Sequence, residues 1–285
     1  MTEFDTLRKF FTTSDGVGLS YIEKGSGPAI VLVHGWSQCA EEFKYQLSGL
    51  KQSHRVIAID LRGHGQSEKP DYGYKIPRLA QDLFEFLGYL DLQDVALLGH
   101  SLGCSVIWSY LDLFGPRRIA KLILVDEPSC LVVNPVWSKE KIAAMGAGFT
   151  PDMAFEIANS IAGAEGVNFT KSMIASMFTE ACDQSVIDWV IDCNLQFPRK
   201  HAATLLLNNI FQGWQDLIPR VNLPTLVIGG EVSVTPVEAV RWIADQINGS
   251  QLEIFDKDSG GSHFMFLENP GRFNFLISGF VKGDR

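Results

Sequence analysis

The chain of 285 residues is 46% hydrophobic and 20% charged, ordinary proportions for a globular protein with a large core. A net charge of −9 leaves no excess of cations to neutralise phosphates, which argues against a nucleic-acid partner, and no basic amphipathic stretch marks an anionic membrane surface. Five cysteines (Cys39, Cys104, Cys130, Cys182 and Cys193) are odd in number and lack Cys-x-x-Cys spacing, and the first residues lack a signal peptide's apolar segment, so a reduced cytoplasmic protein without a membrane span is expected.

In chain order, residues 10–13 and 19–23 flank Ser14-Asp15-Gly16 and read as a hairpin. The continuous apolar run 29–33 reads as a strand buried on both faces, ending in His34-Gly35-Trp36-Ser37. A helix over 43–50 and a second buried strand over 55–59 follow, the strand running into Asp60-Leu-Arg-Gly-His-Gly-Gln-Ser67. Residues 76–90 have helical periodicity. Strand 95–98 then leads into Gly99-His100-Ser101-Leu102-Gly103, after which Leu102, Val106, Ile107, Tyr110 and Leu113 are spaced as on one helix face up to Gly115-Pro116. Residues 121–125 form the next strand and end in Asp126-Glu127-Pro128.

From about residue 131 to 221 no strand-like run appears. Helical stretches are expected over 139–146, 151–162, 171–181, 185–196 and 201–212, with Arg199-Lys200 at a solvated helix start. Alternation resumes with strand 225–228, helix 236–247, strand 252–255 and a last helix from Pro270. The expected architecture is an α/β core over 1–130 and 222–285, a mostly parallel sheet with helices on both faces, interrupted by a helical segment over 131–221.

Strand, Gly-x-Ser-x-Gly, helix is the context of a nucleophile elbow. The turn strains the serine backbone, Gly99 and Gly103 let strand and helix approach, and the hydroxyl of Ser101 emerges at a helix N-terminus that favours negative charge. A serine hydroxyl attacks only when a base within hydrogen-bond reach takes its proton and a third group orients that base. No metal is expected, because the histidines and cysteines lack ligand spacing, and no cofactor, because Gly25-Ser-Gly-Pro28 and Ser259-Gly-Gly-Ser262 do not open helices as phosphate loops do. The second glycine pair is read as giving the following loop freedom to move.

His34-Gly35, the 60–67 motif, Gly99–Gly103 and Ser262-His263-Phe-Met-Phe-Leu-Glu-Asn-Pro270, in that order, resemble the α/β-hydrolase superfamily over nearly the whole chain. The resemblance implies an eight-stranded sheet, a lid formed by the 131–221 segment, Ser101 as nucleophile and His263 as general base. It also implies an oxyanion hole from the Trp36 and Leu102 amides, and structural roles for His34 and His64. The commonest position for the acid, four residues before Pro236, holds Val232. Other branches place it after the sixth strand, which points to Asp126, with Glu127 and Glu231 as alternatives.

The expected activity is hydrolysis of a neutral, moderately hydrophobic carboxylic ester or lactone, the chain's expected small-molecule partner, and a homodimer is left open. A C–C hydrolase or perhydrolase would use the same residues. A cofactor-free dioxygenase and a non-catalytic receptor are the readings from other classes.

Overall fold

The computed structural model describes Phe4 and residues 6–283; the others, including part of the stretch read for a signal segment, lie outside the described residues. β1 (Arg8–Thr12) and β2 (Gly18–Lys24) form the expected hairpin, and β3 (Ala29–Val33) is buried at every position. A 3-10 turn over Ala40–Phe43 precedes α1 (Lys44–Gly49) and β4 (Arg55–Ile59). α2 (Ile76–Tyr89) buries Ile76, Leu79, Leu83, Phe86 and Leu87, the stripe its periodicity marks. β5 (Val95–His100), α3 (Leu102–Phe114) and β6 (Ile119–Val125) follow.

Five helices occupy the span between β6 and β7 among the described residues: α4 (Lys139–Met145), α5 (Pro151–Ala162), α6 (Gly166–Ala175), α7 (Gln184–Leu195) and α8 (Arg199–Ile210). β7 (Thr225–Gly230), α9 (Val237–Gln246), β8 (Gln251–Phe255), α10 (Met265–Glu268) and α11 (Pro270–Lys282) complete the chain. No described helix is long and apolar enough to cross a membrane.

The eight strands form one open sheet in the order β1-β2-β4-β3-β5-β6-β7-β8, parallel from β4 through β8 and antiparallel at β1 and β2. The winding reverses between β3 and β5, so the loops after these neighbouring strands diverge and leave a crevice at their carboxyl ends. His34-Gly35-Trp36 and Ser101 sit there. β3, β5 and β7 read as unbroken apolar runs because helices cover both faces of the sheet.

Two local expectations need correction. α3 is buried all round from Leu102 to Tyr110, and Leu113 is 53% exposed in a last turn beyond the sheet, so the apolar spacing overran the covered part of the helix. The helix expected over 171–181 is α6, five residues earlier, because its buried face is Gly166, Thr170 and Ile174 at four-residue intervals. Pro151 was a reliable start for α5, since Thr150 beside it caps the helix by accepting from the Met153 amide.

Candidate active site

Ser101 has φ 52° and ψ −130°, outside the regions an L-residue prefers, with its amide donating to the Val125 carbonyl at 2.8 Å. Contacts around the turn hold this strain. A Cβ on Gly99 would lie 2.7 Å from the Cys104 nitrogen and one on Gly103 2.3 Å from the Val33 carbonyl oxygen, so both positions require glycine. Leu102 opens α3 and therefore has no acceptor four residues back in the helix. None of the backbone hydrogen bonds among the described residues uses the amide of Leu102 or Trp36.

His263 stands on the loop between β8 and α10, 5% exposed, with Nδ1 2.6 Å from Asp126 Oδ2. A carboxylate only accepts, so Nδ1 carries the proton and Nε2 is left with a free lone pair. Asp126 follows β6 directly, at φ 57°, a left-handed conformation that Asp tolerates. It is held from the β7 loop: Ser233 Oγ donates to Oδ2, the Gly230 amide approaches Oδ1 at 3.4 Å, and Thr235 Oγ1 donates to the Asp126 carbonyl at 3.1 Å.

The other two candidate acids make no hydrogen bond to the His263 ring. Glu231 is exposed and accepts from the Lys257 amide at 2.8 Å, serving the turn before the His263 loop. Glu127 is buried and directs Oε2 at Ser101 Oγ, 3.5 Å away.

The remaining histidines brace the loops. His34 Nε2 accepts from the Leu61 amide at 3.0 Å and His64 Nε2 from the Ser37 amide at 3.2 Å, which ties the 60–67 motif beneath the loop carrying Trp36. His100 spans Gln38 Oε1 at 3.0 Å and the His263 carbonyl at 2.8 Å. Burial pushes the pKa of all three rings down.

A cavity of about 400 Å³ opens on Ser101, His263, Trp36 and Leu102. Leu131, Phe149, Ile157, Phe169, Met173 and Leu206 from the helical segment close it with an apolar wall, and no Lys or Arg among the described residues lines it. The arrangement offers a strained serine, a carboxylate-oriented imidazole and two free amides at one end of a hydrophobic chamber.

A profile of the alpha/beta hydrolase family matches residues 30–274. The chain belongs to this family. It is 38% identical to a non-heme chloroperoxidase of Streptomyces lividans over 95% of this chain and 98% of that protein. Among solved structures, an esterase from Exiguobacterium antarcticum superposes with a TM-score of 0.87 at 25% identity, over 96% of this chain and 99% of the other. The enol-lactonase of Burkholderia xenovorans gives 0.82 at 19%, over 96% and 100%, a likeness of fold alone.

Several residues of this alpha/beta hydrolase escaped the sequence reading. Arg199 is not at a solvated helix start. It donates to Ser37 Oγ at 2.8 Å, to the Asn194 carbonyl at 2.5 Å and to Thr170 Oγ1 at 3.2 Å, and burial pulls its pKa down to about 10. It pins the helical segment to the Trp36 loop, aided by the bond from Trp36 Nε1 to the Ala202 carbonyl at 2.7 Å. Nor do the glycines before His263 provide freedom: a Cβ on Gly261 would lie 2.2 Å from the Phe255 carbonyl oxygen, and one on Gly230 2.3 Å from the Gly261 carbonyl oxygen. They let two loops touch. Ser233, one residue from the usual acid position, supplies a hydroxyl to Asp126 in place of the missing carboxylate.

Cys39, Glu42 and Cys193 bring three metal-type donor atoms within 4.8 Å of one another, a grouping with no local spacing to reveal it because Cys193 comes from α7. The neighbouring Cys193 and burial push the Cys39 thiol well up, and burial does the same to the Glu42 carboxyl.

Proposed function

We propose that this protein is a serine hydrolase that cleaves a neutral, moderately hydrophobic carboxylic ester or lactone through an acyl-enzyme. The observation that carries the reading is the 2.6 Å contact between Asp126 and His263 at the cavity that Ser101 also lines. In this reading Ser101 Oγ bonds to the substrate carbonyl carbon as its proton passes to His263 Nε2. The imidazolium so formed is stabilised by Asp126. The carbonyl oxygen becomes an oxyanion facing the Trp36 and Leu102 amides, each such donor contributing about 3 kcal/mol to the barrier reduction. Collapse breaks the C–O bond to the alcohol, which leaves with the proton from His263. Water, deprotonated by the same nitrogen, then releases the acid and restores Ser101.

The apolar wall and the lack of Lys or Arg among the described lining residues support a neutral substrate. The acid after β6 inclines the reading towards lactones. A second acyl acceptor is favoured by the 38% identity to a chloroperoxidase: hydrogen peroxide attacking the same acyl-enzyme would yield a peracid and free Ser101. Labelling by a fluorophosphonate and turnover of p-nitrophenyl esters test the proposal, and Ser101→Ala is expected to abolish both, with a loss in kcat on the order of 10⁶. Turnover within tenfold of wild type would remove Ser101 from the chemistry.

A further inference from the structure

The triad chemistry leaves one buried ionisable group of the cavity unused. Glu127 is 7% exposed, and its Oε1 accepts from Asn209 Nδ2 at 3.0 Å and from Ser105 Oγ at 3.2 Å. Trp214 Nε1 donates to Ser105 Oγ at 3.2 Å, so that hydroxyl must turn its own hydrogen towards Glu127. Donors from α3 and α8 thereby fix one carboxyl oxygen. The other, Oε2, is aimed at Ser101 Oγ, 3.5 Å away, in the cavity that substrate would enter.

A carboxyl with two donors on one oxygen carries any proton on the other. Burial pushes the Glu127 pKa up to about 7, against the pull of Asn209, His263 and Ser105 and with a further push from Asp126. The ionisable groups facing it among the described residues are Asp126 beside it in the chain, His263 across the cavity and Cys104 on α3; no described Lys or Arg lines the cavity to favour its anion.

We propose that Glu127 is a specificity-determining acid, which when neutral donates Oε2–H to an uncharged oxygen acceptor one or two carbons from the scissile carbonyl, and when ionised draws the Ser101 hydroxyl from His263 and repels anions. The preferred substrates are then neutral esters or lactones oxygenated at the α or β position of the acyl group. This rests on the serine-hydrolase reading. A proton shared between Glu127 and substrate is not consumed, so the stoichiometry of hydrolysis is unchanged. Ionised Glu127 acts as a brake, because it offers Ser101 a hydrogen-bond acceptor that cannot serve as the triad base and places negative charge beside the forming oxyanion.

The test compares p-nitrophenyl methoxyacetate with p-nitrophenyl butyrate, uncharged esters of matched length that differ by one ether oxygen, from pH 5.5 to 9. In wild type kcat/KM falls above pH 7 for both, by about a hundredfold at pH 9 for methoxyacetate, which needs the neutral acid of pKa about 7, and by about twentyfold for butyrate, which the ionised form still turns over slowly, so the preference for methoxyacetate falls about fivefold as the donor is lost. In Glu127→Gln, whose amide donates at every pH, the alkaline fall is absent and the preference does not change with pH. Parallel alkaline limbs in the two proteins, or a preference independent of pH in wild type, overturn the assignment. Should Glu127→Gln fold poorly, the pH dependence of the wild-type preference decides alone. Fluorophosphonate labelling with turnover of both esters but without these signatures sinks only the role of Glu127; no labelling and no turnover sinks the serine-hydrolase reading with it.

Discussion

Replacing Asp126 by Asn isolates the orienting role of the acid, because the rest of the site has reason to stay in place. Asn tolerates the left-handed φ of 57° at this position as well as Asp does, and the side chains are nearly the same size. The hydrogen-bond directions are what change. Asp126 presents one oxygen to His263 Nδ1 and the Ser233 hydroxyl and the other to the Gly230 amide. If the Asn oxygen takes the His263 side, its NH₂ faces the Gly230 N–H, donor against donor. If the NH₂ takes the His263 side, Nδ1 must become the acceptor, and the ring proton moves to Nε2, where it blocks the nitrogen that should receive the Ser101 proton. Neither placement supplies the charge that stabilises the imidazolium.

The equivalent change in a serine protease triad costs about 10⁴ in kcat, about 5.5 kcal/mol of barrier. The same loss is expected here for p-nitrophenyl butyrate at pH 7, with circular dichroism unchanged and kcat recovering partly as pH rises and hydroxide replaces the base. Glu231→Gln, at an exposed residue that serves the Lys257 turn, is expected within about twofold of wild type. A loss of less than tenfold for Asp126→Asn, or a larger loss for Glu231→Gln, would refute this account of the acid.

Two further outcomes concern stability. Burial raises the Glu127 pKa to about 7 in the folded chain, whereas an unfolded Glu titrates near its ordinary value of 4.5; the folded state then binds more protons between these values, so the Glu127 contribution is fully present below pH 4.5 and is lost as pH rises through 7. The Tm of wild type relative to Glu127→Gln is therefore expected to fall between pH 4.5 and 7.5, and a constant difference across that window would contradict the raised pKa. Arg199→Ala removes the donor shared by Ser37, Asn194 and Thr170, and a destabilisation of about 2 kcal/mol with a raised KM is expected from urea unfolding and ester kinetics; unchanged values for both would show that Arg199 does not hold the helical segment to the Trp36 loop.

The comparison of sequence with structure divides along the range of the interactions involved. The elbow at Ser101 was legible because strand, glycine pair and helix are consecutive, and the steric demand of the turn acts within five residues. The buried strands were legible because a parallel sheet covered on both faces imposes unbroken apolar runs. Where a helix ends its cover, and which four-residue stripe it buries, depends on the partner surface, and so Leu113 and α6 were misread.

The acid and its companions needed the tertiary structure. Asp126 and Glu127 are adjacent and chemically alike in one dimension. Only the left-handed backbone at Asp126 and the loops from β7 and β8 send its carboxylate to His263, while Ser105 and Asn209 turn Glu127 towards Ser101. Arg199 likewise reads as a surface cation until the carbonyls of Asn194 in α7 and of Phe197, and the Ser37 hydroxyl, 162 positions away, close around it. Sequence alone determined on which local turns Ser101, Asp126 and His263 stand, since covalent neighbours set backbone strain and helix ends. Which carboxyl meets which hydrogen-bond partner is decided by packing between distant segments, because a charge is oriented and its pKa set by atoms that the chain order does not place together.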